Sequence, residues 1–402
     1  ALPYMPGRTL DPMDCADGMQ QTAASLLYEG LFRLDGSFEP QPCLCISYTH
    51  DEAALRYTFE LRPGVEFSDG SPLTGRDVKA SLERARTSDR YRSRLSGVAS
   101  VSANGDSVTV TLNSPNSALP ALLDVPVVKS GTQESAAPVG TGPYFYAEEE
   151  TGAYLIANQA WWKGESQPVD RIALVEAADD DAMLYRFSSH EVQLITADLT
   201  GVLPVSTTGS VGCADADTPV MQYIGCNTAR APLDSPALRR ALSAGINRAN
   251  VAGAYLSGHG KPAAFPVSPV SSLYPAALEE DYSVDGFTAA VAESGYVSER
   301  PLTLLVNEEN GFKKAIAAHL AESWTSGGVP VEVRVLPWEE YAAALAAGDF
   351  DLYYGEARLT ADWDLGSLLE PGGRLNYGHW SNPDTSRLLA ELAGAQDRTA
   401  AM

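Results

Sequence analysis

Apolar residues recur along this chain with two distinct spacings. Leu55, Tyr57, Phe59 and Leu61 alternate with Arg56, Thr58 and Glu60, and residues 107–112 (SVTVTL) repeat that period of two, so two strands with one buried face are predicted. Between them Val78, Leu82 and Ala85 form a helical stripe, which Thr74 opens as N-cap with Asp77 as the acidic half of a variant capping box. A second helix is predicted from Asp234-Ser235-Pro236: Ser235 caps, and Pro236 sits at the first helical position, where its missing N–H costs nothing. Leu238, Ala241, Leu242, Gly245 and Ile246 then follow at helical spacing.

Residues 301–365 carry the most topological information. Leu302 to Val306 reads as a strand, and Lys313 to Trp324 as a helix with Ile316, Leu320 and Trp324 on one face. Val329, Val331, Val333 and Val335 alternate as a strand. Trp338, Tyr341, Ala342 and Leu345 stripe another helix, with Gly348 as its stop, and Phe350 to Tyr354 reads as a third strand. On this stripe Trp338 is expected to pack into the core. The order β-α-β-α-β requires right-handed crossovers and a largely parallel sheet. In such sheets ligands collect beyond the carboxyl ends of the strands. Geometry alone therefore puts Asp362, Trp363 and Asp364, in the segment GEARLTADWD at 355–364, near a ligand cleft.

Composition narrows the function. The chain has 402 residues, more than one core usually accommodates, so at least two lobes are expected. Its 28 Lys+Arg against 52 Asp+Glu give a formal charge of −24, which repels phosphate backbones and argues against nucleic acid as a partner. No stretch is long and apolar enough to span a bilayer as a helix. Of the five cysteines (Cys15, Cys43, Cys45, Cys213, Cys226), Cys43 and Cys45 are two apart and poorly spaced for a mutual disulfide. With no CxxC pair, structural zinc is not expected, and the cysteines read as small buried side chains.

Catalytic constellations are not evident. His190-Glu191 begins like a zincin motif, but Leu194 stands where the second histidine belongs. Gly258-His259-Gly260-Lys261 lacks the leading glycine of a phosphate loop and is followed by Pro262. The runs Glu148-Glu149-Glu150 and Asp179-Asp180-Asp181 read as solvated surface, although two carboxylates facing each other across a substrate, as in an acidic glycoside hydrolase, remain an alternative of a different class.

The chain resembles the family 5 extracellular solute-binding proteins of ABC importers, which serve di- and oligopeptides, nickel chelates and related solutes. The resemblance rests on LYEGLFRLDGSFEPQP at 27–42 and YTFELRPGVEFSDGSPLTGRDVKASLERA at 57–85. It continues in order with GTGPY at 140–144, NQAWWKG at 158–164, CNTARAPLDSPALRRALSAGINR at 226–248, GHGKPA at 258–263, LPWEEYAAALAAGDFDL at 336–352 and WSNPDTSRLLAEL at 380–392. Ser68 departs from the family's usual histidine, and Gln193 from its usual aspartate. The resemblance implies an α/β chain with the type II periplasmic-binding-protein fold of the larger, peptide-binding class: two lobes joined by a hinge, with an extra subdomain. Lobe I would hold 1–40 and 139–225, the extra subdomain 41–138, and lobe II 226–402. A segment beyond Met402 returning to lobe I is also implied.

The resemblance further implies a non-enzymatic protein without a cofactor. It would be extracytoplasmic, periplasmic or lipid-anchored at the outer membrane face, and would act as a monomer that hands a peptide or small zwitterionic ligand to membrane permease subunits. Peptide-binding members hold the ligand's α-amino group with an aspartate, and the matching position is Asp362, the residue the topology had also selected. A purely local role for Asp362, capping the next turn or pairing with Arg358, stays open. Trp363, Trp380 and, as the alternative to its core packing, Trp338 would supply aromatic walls, with Asp364 beside them; Arg358 would face a ligand carboxylate. Tyr28 lies in YEGL, where it and Glu29 also fit a structural role. Gly140-Thr141-Gly142 would shape the return from the extra subdomain. The alternative ligand is a nickel–chelator complex, with His379 as the direct metal ligand.

Overall fold

The computed structural model describes residues 1–201, 210–279 and 282–401. It divides into two units, one built mainly of Ala1–Ala197 and the other mainly of Ala214–Met402.

In chain order the first unit holds β1 (Leu2–Tyr4), α1 (Gly18–Ala24), β2 (Phe32–Leu34), β3 (Pro40–Pro42), β4 (Cys45–Asp51), β5 (Arg56–Leu61), α2 (Gly75–Ala85), β6 (Val98–Asn104), β7 (Ser107–Leu112), β8 (Tyr144–Glu149), β9 (Gly152–Ala157), β10 (Arg171–Glu176) and α3 (Asp180–Ser188). Strands β4-β5-β7-β6 form an antiparallel sheet, β2 and β3 a hairpin, and β1-β10-β9-β8 a mixed sheet in which β1 runs parallel to β10. The predicted alternation is realised: Tyr57, Phe59 and Leu61 of β5 and Val108, Val110 and Leu112 of β7 all point into one core, which Val78, Leu82 and Ala85 of α2 cover. Helix α2 starts as expected, the Asp77 carboxylate accepting from the Thr74 N–H (3.1 Å) and hydroxyl (2.7 Å). A second core gathers Leu27, Tyr28, Val128, Tyr144 and Leu155. The acidic run at 179–181 is exposed, and Asp179 caps α3 by accepting from the Ala182 N–H (2.7 Å).

The second unit holds β11 (Val220–Cys226), α4 (Pro236–Ala244), α5 (Arg248–Leu256), α6 (Val284–Glu293), β12 (Leu302–Asn307), α7 (Gly311–Ser326), β13 (Val331–Leu336), α8 (Trp338–Ala347), β14 (Leu352–Arg358), α9 (Gly366–Leu369), α10 (Pro383–Gly394) and α11 (Arg398–Ala401). Its sheet order is β11-β14-β12-β13; β12 is parallel to both neighbours, and β11 is antiparallel to β14. The predicted β-α-β-α-β path is thus present from β12 to β14. Strand β12 is covered on both sides, as the consecutive apolar residues Leu304, Leu305 and Val306 require. On one face Leu304 and Val306 meet Leu242, Phe287, Ile316, Leu320 and Trp324 from α4, α6 and α7. On the other Leu305 meets Tyr341 and Leu345 of α8. The Trp324 indole N–H donates to the Leu242 carbonyl (2.9 Å), tying α7 to α4.

Two expectations are corrected. Trp338 is 59% exposed: it is the first residue of α8, and of that stripe Tyr341 and Leu345 are the ones buried in the core. All five cysteines are free thiols, but Cys213 is exposed while Cys15, Cys43 and Cys45 are buried. Strand β11 of the second unit's sheet runs from Val220 to Cys226.

One buried charge sets the register of this sheet. The Asp351 side chain is 1% exposed and accepts from Arg300 in a fork (2.6 and 2.7 Å) and from the Thr303 N–H (2.8 Å), with the Arg230 guanidinium at 3.6 Å. Burial works to raise its pKa, but Arg300, the Thr303 N–H and Arg230 outweigh burial and hold the carboxyl below its ordinary value. The folded pKa is therefore lower than the unfolded one, and the stability this group contributes is present above the unfolded pKa and lost as pH falls through the folded one. Asp351→Asn should cost about 2–3 kcal/mol in urea unfolding at pH 7, and it should flatten the loss of stability that the unaltered protein shows below about pH 4.

Candidate ligand-binding site

The carboxyl ends of β12, β13 and β14 define one edge of the second unit's sheet, at Asn307, Leu336 and Arg358. Asn310, buried, caps α7 through the Lys313 N–H (2.9 Å), and its amide donates to the Thr200 carbonyl (2.8 Å). The Glu309 carboxylate accepts from the Trp338 N–H at the start of α8 (2.8 Å), which with its other hydrogen bonds holds it below the ordinary carboxylate range. Near the end of β14, Glu356 pairs with Lys313 (2.9 Å) and accepts from Gln222 of β11 (2.8 Å). Arg358, the last residue of β14, is exposed.

The chain then enters the loop that carries the predicted aspartates. Leu359 donates to the Pro219 carbonyl (2.8 Å), continuing the pairing with the β11 side by one residue. Residues 360–363 form a tight turn: the Trp363 N–H donates to the Thr360 carbonyl (2.9 Å), and the Thr360 hydroxyl donates to the Asp362 carboxylate (2.5 Å). Asp362 is 7% exposed and also accepts from the Asp364 N–H (3.4 Å). The local, turn-capping role weighed from the sequence is therefore real, through Oδ1.

Trp363 sits between the two aspartates with φ of 53°, in the left-handed region, which costs a non-glycine residue about 1–2 kcal/mol. Its ring is 2% exposed, and burying a ring of that size is worth about 4–6 kcal/mol, so packing holds the strained turn in place. Trp363 thus anchors the loop from within, whereas the exposed aromatic at this sheet edge is Trp338. Asp364 lies at the surface and accepts from the Gly366 N–H (2.9 Å). Surrounding protein pushes its pKa up, the charges of Asp362 and Glu370 add to that, and the Gly366 bond opposes it.

The structure brings Arg358, Asp362, Trp363 and Asp364 together on one strand end and its loop. It does not bring the other candidates there. The His379 imidazole lies against Gly348, which precedes the opposite end of β14; that strand is about 20 Å long. Trp380 is half-buried; its indole N–H donates to Thr385 (2.9 Å), and the Arg239 guanidinium sits 5.6 Å from its ring centre. Tyr28 belongs to the first unit, buried, with its hydroxyl donating to the Pro138 carbonyl (3.0 Å).

Sequence reasoning missed the polar hub beside Tyr28. Glu29 accepts from Thr141 (3.0 Å) and from the Trp162 indole (2.6 Å), and pairs with Lys163 (3.2 Å), joining three segments that carry the family motifs. Gly140 and Gly142 are required beside it, since a Cβ at either would stand 2.1 or 2.5 Å from Leu27 backbone atoms; close packing, not a phosphate cradle, explains GTG. In GHGK, His259 and Lys261 pair with Asp215 (2.7 Å) and Asp217 (2.6 Å).

The candidate site is thus a strand-end loop in a mixed α/β architecture. The model of bacterial extracellular solute-binding proteins, family 5 middle, matches residues 39–371, and the chain belongs to that family, the solute-binding components of ABC importers. The glutathione-binding protein GsiB of Pectobacterium atrosepticum is 27% identical over 421 residues, covering 97% of this chain and 81% of the relative. A nickel ABC transporter structure from Bacillus halodurans superposes with a TM-score of 0.78 at 21% identity, covering 98% of this chain and 86% of that one. The periplasmic murein tripeptide-binding protein MppA, in an unliganded open form, superposes at 0.77 and 19% identity, covering 98% and 85%. The fold is that of the type II periplasmic binding proteins.

The contrast between the two tryptophans is directly measurable. Trp363→Ala should lower the urea unfolding free energy by about 3–5 kcal/mol, and Trp338→Ala by less than about 1 kcal/mol. Equal losses would contradict the assignment of Trp363 as the internal anchor.

Proposed function

We propose that this protein captures a di- or oligopeptide, or a peptide-like zwitterion, by closing its lobes around it, and that Asp362 holds the ligand's α-amino group. The observation that carries this is the Asp362 carboxylate, 7% exposed in the loop beyond the carboxyl end of β14. A carboxylate shielded from water is stabilised by a cation with hydrogen bonds to offer, and an α-ammonium supplies three. The relatives support the ligand class: GsiB is glutathione-binding and MppA murein tripeptide-binding, and both ligands carry peptide bonds and a free amine. In this reading Asp364 adds negative potential, Arg358 offers a two-pronged partner to a ligand carboxylate, and Trp338 takes the aromatic place expected of Trp363. The protein works outside the cytoplasm, in the periplasm or lipid-anchored at the outer membrane face. It acts as a monomer and passes its ligand to membrane permease subunits.

The nickel–chelate reading is supported by the likeness to the Bacillus halodurans transporter. Its candidate ligand, His379, stands at the far end of β14 from Asp362 and is flanked there by Gly348. Nickel in stoichiometric amount after incubation with nickel and histidine, lost in His379→Ala, would favour it over the peptide reading.

Asp362→Asn keeps the shape and removes the charge. In calorimetric titration with the cognate peptide it should raise Kd about 10- to 100-fold, with little change in thermal midpoint. Unchanged affinity would end the assignment of Asp362.

A further inference from the structure

We propose that Arg398 is a positioning residue for the loop that presents Asp362; this rests on the reading of Asp362 given above. Arg398 opens α11, is half-buried, and lies 36 positions along the chain from Asp362. Its guanidinium donates to the main-chain carbonyl of Asp362. That carbonyl belongs to the peptide group joining Asp362 to Trp363, the residue held in the left-handed region.

The turn is pinned from three directions. Trp363 is anchored by burial, and the Asp362 side chain is oriented by the Thr360 hydroxyl. Both pins are local to the loop. The Asp362–Trp363 peptide is itself held on one side by the Trp363 N–H, which donates to the Thr360 carbonyl, and its carbonyl lies on the other side of the same planar group. Arg398 supplies the donor there, and it brings it from the C-terminal helical segment. A charged donor on a carbonyl is roughly twice as strong as a neutral one and resists the peptide rotation by which a bulky residue would leave the left-handed region. Arg398 thereby steadies the backbone from which the Asp362 carboxylate projects, while Thr360 orients the carboxylate itself.

The test compares Arg398→Ala and Arg398→Lys in the full chain. Amide hydrogen exchange of residues 360–366 is followed without ligand, and glutathione titrations are run beside Asp362→Asn. Arg398→Ala should speed exchange in the loop and weaken glutathione binding about tenfold, and Arg398→Lys should recover part of both. Unchanged exchange in Arg398→Ala overturns the proposal, as does a gain in affinity, which would mean that Arg398 repels the ligand's cation and does not place its partner. Faster exchange with unchanged binding in both Arg398→Ala and Asp362→Asn supports Arg398 as the pin of the loop and instead overturns the reading of Asp362.

Discussion

The second unit depends on the fork between Arg300 and Asp351. Asp351 lies at the entry to β14 and Arg300 at the entry to β12, and a buried carboxylate with three donors tolerates no slip between those strands. A slip of one residue would turn Tyr353 and Leu305 to the wrong face and leave the Asp351 charge buried and unmatched. Because β14 starts at a fixed point, it also ends at one, and the loop of Asp362 begins there. The charge at one end of the strand therefore determines where the carboxylate at the other end is offered.

That loop shows packing and strain set against each other to hold a charged group in place. Trp363 accepts a left-handed backbone since its ring has nowhere else to go, and the aspartates on either side are fixed as a consequence. A loop held by one internal anchor, a threonine hydroxyl and a long-range arginine is pre-organised, so in the proposed reading less ordering would remain to be done on binding.

Much of this was legible in the primary structure, for physical reasons that differ by element. The β-α-β-α-β unit announced itself because valines at 331, 333 and 335 alternate and the α7 stripe repeats every four residues, and handedness then left one choice of loop for the ligand. The capping of α2 by Thr74 and Asp77 was equally local. What escaped notice was long-range. Strand β11 adds antiparallel to β14, a partner more than a hundred residues away, and VMQYIGC carries no alternation to reveal it. Trp338 fits the apolar stripe of α8, yet as the first residue of that helix it is exposed. The exchange of roles between Trp338 and Trp363 follows from a left-handed turn that no spacing rule encodes, and the Glu29 hub joins side chains more than a hundred residues apart.

The central claim is that the second unit's strand-end loop receives the amine of a peptide. Native mass spectrometry of the protein purified without denaturation addresses it most directly, since a tightly held solute travels with its binding protein. The account predicts a single added mass corresponding to a small peptide or peptide-like compound with a free α-amino group, present with the unaltered protein and lost with Asp362→Asn. An added mass containing nickel, or a bound compound without an amine, would contradict it.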